Sequence, residues 1–205
     1  MKKIIAALLT GLMALSLAAC GSSGSSAAEA STSTEESTTP AVTGQAYDVG
    51  QFTVSVPEGW LVYPQADYFE EADADGNYPN KTDAIGMIKG GTSEMDTLSM
   101  PTVYVYYYAG SKAEDKVESD SYWYDETSPI TATIKDQEIT TAIEAKSSSV
   151  LDDGQSYVYD IVYYQINDND VIQFTIPVDM IDFEGVSLTD ADVQYILDNV
   201  TVNEG

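Results

Sequence analysis

Tyr157-Val158-Tyr159-Asp160-Ile161-Val162-Tyr163-Tyr164-Gln165-Ile166 is followed by Asn167-Asp168-Asn169-Asp170, and then by Val171-Ile172-Gln173-Phe174-Thr175-Ile176-Pro177-Val178. The two outer runs are built from β-branched and aromatic residues, the types that fit a pleated surface. Asn and Asp between them tolerate positive φ and make a tight turn. A connection this short joins antiparallel strands. Ile172, Phe174 and Ile176 alternate and should face inward. Upstream, Thr141–Val150 reads as a longer strand, and Asp152-Asp153-Gly154 as the hairpin turn that joins it to the first run. The stretch therefore specifies a three-stranded antiparallel meander.

Working toward the N-terminus, Ile130–Ile134 and Gln137–Ile139 read as short strands joined at Lys135-Asp136. Ser111–Asp125 is mixed in character, with Val117 and the Tyr122-Trp123-Tyr124 cluster placed on a short helix. Thr102–Tyr108 is a clear strand, with Val103, Val105 and Tyr107 on one face and Tyr104, Tyr106 and Tyr108 on the other. Ala84–Lys89 is a short strand closed by Gly90-Gly91, and Pro64–Asp83 before it is acidic and rich in turn residues. Phe52, Val54 and Val56 alternate with Thr53 and Ser55, then Pro57-Glu58-Gly59 turns the chain into Trp60, Val62 and Tyr63. At the other end a helix is expected. Thr189 is its N-cap, Asp192 holds the capping-box position, and Asp190 sits in the first turn. Val193, Ile196, Leu197 and Val200 repeat at the spacing of one helical face, which should lie across the sheet.

Three of these features together resemble small Gram-positive lipoproteins of the PsbP-like fold. They are Phe52-Thr53-Val54-Ser55-Val56 running into Pro57-Glu58-Gly59-Trp60, the antiparallel meander, and the helix with Tyr195-Ile196-Leu197-Asp198-Asn199-Val200. The resemblance covers residues 47–203. It implies an α+β domain: an α/β/α sandwich around a mainly antiparallel sheet, with the C-terminal helix packed on the sheet. It implies no activity, because folds of this kind host unrelated functions.

The N-terminus gives the location. Lys2 and Lys3 precede an apolar run from Ile4 to Leu17, shorter than the roughly 20 residues a spanning helix needs. Leu17-Ala18-Ala19-Cys20 follows, and Cys20 is the only cysteine. This is the layout of a secretion signal, and the four residues resemble the lipobox at which bacterial lipoproteins are cut before a diacylglyceryl cysteine. The expected organisation is a signal peptide over 1–19, the lipidated Cys20 with a disordered Ser/Thr-rich tether over 20–45, and a globular domain over 46–205. Two acyl chains hold a protein stably where one does not, so the expected place is the outer face of the cell membrane.

Charge narrows the partners. The chain carries 8 Lys and Arg against 34 Asp and Glu, a formal charge of −26. Loss of Lys2 and Lys3 on cleavage makes it two units more negative. That excludes nucleic acid, whose binding needs cations on the protein. There is no His, so the commonest general base and zinc ligand are missing. With Cys20 lipidated, no free thiol remains. No G-x-S-x-G elbow is present. The chain is therefore expected to be non-enzymatic, a binding or scaffold module without a cofactor.

Two stretches bear on the ligand. Glu71-Ala72-Asp73-Ala74-Asp75-Gly76-Asn77 matches the opening of an EF-hand loop, but Thr82 stands at the twelfth position where a bidentate Glu is needed. An acidic calcium-binding protein using Asp73, Asp75 and Asn77 at millimolar affinity is thus one alternative. A carboxylate-dependent hydrolase acting on cell-wall glycan is another, since acids in pairs serve glycosidases. The 15 tyrosines include Tyr104, Tyr106 and Tyr159 on strands. These are the expected face for an extracellular protein or glycan, because aromatic rings bring contact area and a hydrogen-bonding tip.

Overall fold

Among the described residues, ten strands form two antiparallel sheets, accompanied by two α-helices. The computed structural model describes residues 41–64, 84–149 and 154–203. The acidic stretch 65–83, the Asp152-Asp153 part of the hairpin turn and the whole N-terminal segment lie outside the described residues. The elements in order are β1 (Gly44–Asp48), β2 (Phe52–Pro57), β3 (Trp60–Pro64), β4 (Ala84–Lys89), a 3-10 helix (Glu94–Leu98), β5 (Thr102–Ala109) and α1 (Ala113–Ser121). Then come β6 (Glu126–Ile134), β7 (Gln137–Ser148), β8 (Ser156–Gln165), β9 (Asp170–Asp179), α2 (Ala191–Asp198) and β10 (Val200–Val202).

The larger sheet has seven strands in the order β3-β4-β5-β9-β8-β7-β6, and the smaller has three in the order β1-β2-β10. The meander expected from the opening stretch is present as β7-β8-β9, with Ile143 opposite Ile161 and Ile161 opposite Thr175. The two expected strands that start at Gln137 and Thr141 are one continuous strand, Gln137–Ser148, because Lys135 and Asp136 make the turn before it, with φ of 50° and 61°. Both residues in the left-handed region is what a two-residue hairpin requires.

The seven-stranded sheet is covered on both faces. On one side, Val103, Val105, Val162, Ile172, Phe174 and Ile176 meet Phe52, Val54 and Val56 of β2 and Val193, Ile196 and Leu197 of α2. On the other, Ile143, Ala145, Ile161, Tyr163 and Val171 lie under Ala113 and Val117 of α1. Burial on both faces explains why Ile161-Val162-Tyr163 and Val171–Phe174 are continuously buried instead of alternating. The fold is α+β, with one outer layer that combines a small sheet with a helix and another made by a single helix.

The sequence left the sheet of the first strand open, and two local expectations change. Phe52–Pro57 belongs to the small sheet, between β1 and β10, and not to the larger one. Val200 has left the helix: Asn199 (φ −116°, ψ 45°) ends α2, and Val200 pairs with Val54 in β10. The N-cap is Asp190 and not Thr189, whose hydroxyl is engaged 3.0 Å from that of Ser187. The Asp190 carbonyl accepts the first helical amide, from Gln194, at 2.9 Å.

Candidate functional site

The tyrosine strand lies where its alternation puts it. Tyr104, Tyr106 and Tyr108 share the α1 side of β5 and stack along it, with ring centroids 6.2 and 6.4 Å apart. Register sets Tyr104 beside Gly86 and Thr175, and Tyr106 beside Ala84 and Gln173. All three rings are half-buried. Gln173 is buried; its Nε2 donates to Thr175 Oγ1 at 3.1 Å, while its Oε1 meets no donor among the described residues.

One end of this ladder is sealed by α1. Lys116 Nζ sits 3.9 Å from the Tyr108 ring centre and pairs with Asp120 at 3.1 Å. Asp120 Oδ2 also accepts the Tyr163 hydroxyl at 3.0 Å. Tyr124 and Tyr159 close the far side, 6.5 Å apart. Burial, with Asp120 second, pushes the Tyr108 phenol up to about 12 and raises that of Tyr163. Burial likewise raises Tyr124, with Tyr159 next, and Tyr159, with Tyr157 next. These phenols remain neutral donors. Of the three sequence-picked rings, Tyr159 belongs to this satellite core, and Tyr104 and Tyr106 form a half-buried floor. None of the three is an exposed face.

A second cluster lies on the meander. Asp160 on β8 and Glu144 on β7 are cross-strand partners. Lys146 reaches Glu144 at 3.3 Å and Glu126 at 3.6 Å. Burial first, and the Glu144 charge second, push the Asp160 carboxyl up to about 6. Neither Asp160 nor Glu144 lines either of two cavities formed by described residues. One cavity, of about 480 Å³, lies between Lys135, Asn167 and Thr201 to Asn203; the other, of about 230 Å³, lies beside Gln45, Glu58 and Trp60.

The open aromatic surface is elsewhere. Tyr122 and Trp123 are 81% and 82% exposed, the most open large rings among the described residues. Tyr122 is the C-cap of α1, still in helical conformation, and the Trp123 amide donates to Asp120 O at 3.0 Å. Two residues on, the Asp125 amide donates to Lys146 O at 2.9 Å, and the Asp125 carboxylate accepts the Ser148 amide at 2.7 Å. That backbone hydrogen bond from Ser148 holds the Asp125 carboxyl below the usual range. The corner is thus tied to the helix on one side and to β7 on the other, with its two rings turned to solvent. Met95 and Leu98, each 69% exposed, are the other large open apolar side chains among the described residues, on the 3-10 helix between β4 and β5. Three adjacent aromatics cannot all point the same way, so they cannot all lie on one packed face. That was the available signal for this corner in the sequence, and the helical reading of Tyr122-Trp123-Tyr124 obscured it.

Cys20 and its neighbours Leu17, Ala18 and Ala19 lie outside the described residues, as do Asp73, Asp75 and Asn77. Among the described residues, no helix is long and apolar enough to cross a membrane. No family model matches the chain, and no curated protein or solved structure matches it.

Proposed function

We propose that this protein is a lipid-anchored module on the outer face of the cell membrane, held through Cys20, whose PsbP-like domain binds an extracellular partner without catalysing a reaction. Support for the anchor is Leu17-Ala18-Ala19-Cys20 behind its basic and apolar leader. Support for the fold family is β2 running into Trp60, the β7-β8-β9 meander and the helix that ends at Asn199. The binding reading rests on one observation: Tyr122 and Trp123 stand about four-fifths open on a doubly tied corner. A monomer gains no stability from rings so placed, and adjacent aromatics of this kind serve as contact anchors.

The test uses the two tryptophans, of which Trp60 is 8% and Trp123 82% exposed. Cell envelopes added to the full mature chain should blue-shift the solvent-exposed component of the emission. An emission spectrum indifferent to saturating envelopes refutes the binding reading. The wall-hydrolase alternative draws on the raised Asp160 carboxyl beside Glu144. It requires that the chain release soluble wall fragments and that Asp160→Asn abolish the release.

A further inference from the structure

We propose that the Tyr122–Trp123 corner docks a cationic stretch of polypeptide, one presenting Lys or Arg side chains. This deepens the binding reading above and rests on it. Glu114, Glu118 and Tyr122 follow one another at i, i+4 spacing, so they form a single row on the outer face of α1, neighbours about 5–6 Å apart. Glu114, Asp115 and Glu118 are exposed, as are Asp125 and Glu126 on the far side of the rings. The one cation in this stretch, Lys116, is turned inward onto Asp120 and the Tyr108 ring. What faces solvent is therefore two aromatic rings beside the Glu114, Asp115 and Glu118 carboxylates, while on the far side Asp125 holds the Ser148 amide and Glu126 pairs with Lys146.

The helix end adds to the preference. A helix C-terminus carries partial negative charge and favours a nearby cation. The last turn of α1 has no basic residue to supply one. Trp and Tyr faces attract ammonium and guanidinium groups, Trp most strongly. The protein makes the same contact internally, with Lys116 on Tyr108 and Lys89 on Trp60 at 5.8 Å. A single small cation would use only one ring. The α1 row and the corner together extend for well over 10 Å, since nine helical residues rise about 13 Å. That length suits several positive side chains on one segment. A neutral glycan would leave Glu114, Asp115 and Glu118 without a cation.

The test measures binding of three labelled probes to the full mature chain by fluorescence anisotropy: a short Arg/Lys/Gly/Ser peptide, its Glu/Gly/Ser counterpart, and soluble peptidoglycan fragments. The basic peptide should bind, and binding should weaken as salt rises, because the contacts are exposed and screened. Trp123→Ser should weaken it roughly five- to tenfold. Glu114→Gln with Glu118→Gln should weaken it by about the same factor at low salt, while Glu138→Gln, an exposed acid on β7, should not. Equal binding of basic and acidic peptides, or equal weakening by Glu138→Gln, overturns the proposal, because either result means no specific cation site. Salt-insensitive binding of the peptidoglycan fragments that Trp123→Ser abolishes would leave the binding module standing and overturn only its cationic partner. Indifference of all three probes to Tyr122→Ser with Trp123→Ser overturns both readings.

Discussion

Asp160→Asn should stabilise the protein at neutral pH and lose that effect in mild acid. In the folded chain the carboxyl is raised from 3.8 to about 6, burial being the larger cause and Glu144 the smaller. A gap of about two pH units corresponds to at most about 3 kcal/mol. The side chain is only partly buried, so solvent screening brings the expected effect nearer 1 kcal/mol. The direction follows from linkage. A carboxyl raised on folding contributes stability that is fully present below about pH 4 and lost as pH rises through about 6. At pH 7.5 the wild type therefore carries a disfavoured charge that the amide lacks, and Asp160→Asn should be more stable by about 1 kcal/mol, or about 2–4 °C in midpoint. At pH 4 the two should coincide. Urea titrations of both proteins at several pH values isolate the term, since the other carboxylates cancel in the difference. A difference that stays flat between pH 4 and 7.5, or a variant less stable at pH 7.5, would refute the reasoning.

Further expectations are of different kinds. Leu197→Ala removes a side chain 1% exposed in the core between α2 and the large sheet. It should cost about 2–5 kcal/mol in a urea titration, and an unchanged midpoint would mean that α2 does not pack there. Cys20→Ala should release the protein from membrane fractions or leave it as uncut precursor; normal processing with full membrane retention would remove the lipid anchor from the account.

The core was readable where side-chain period marks one face, as in β2 and β5, although burial on both faces breaks the alternation in β8 and β9. Val103 and Val105 alternate with half-buried tyrosines, and Ile172, Phe174 and Ile176 fall on one face as their spacing requires. The division into two sheets was not readable. Strand β10 is only Val200-Thr201-Val202, and Val200 also fits the helical spacing of Val193, Ile196 and Leu197. Only the geometry at Asn199 separates the two possibilities. Alternation told which face Tyr104 and Tyr106 share, yet it carries no information about what lies over that face. Helix α1, which packs on β7 and β8 and reaches the ladder only at Tyr108, gives a weak signal, since Ala113 and Val117 are its apolar contacts among Glu, Asp, Lys and Ser. The same weakness hid Tyr122 and Trp123, whose exposure depends on where α1 ends rather than on residue type.

The claim that an open aromatic corner is the working surface of a stably folded module is tested most directly on the variant Tyr122→Ser with Trp123→Ser. Two quantities are needed from it, the thermal midpoint and the fraction that sediments with cell envelopes. Substitutions at such exposed positions should change stability by no more than about 0.5 kcal/mol, so the midpoint should hold while the sedimenting fraction falls several-fold. Sedimentation equal to wild type with an unchanged midpoint, or a midpoint lowered by many degrees, would contradict it: the first makes the rings inert, and the second makes them part of the core.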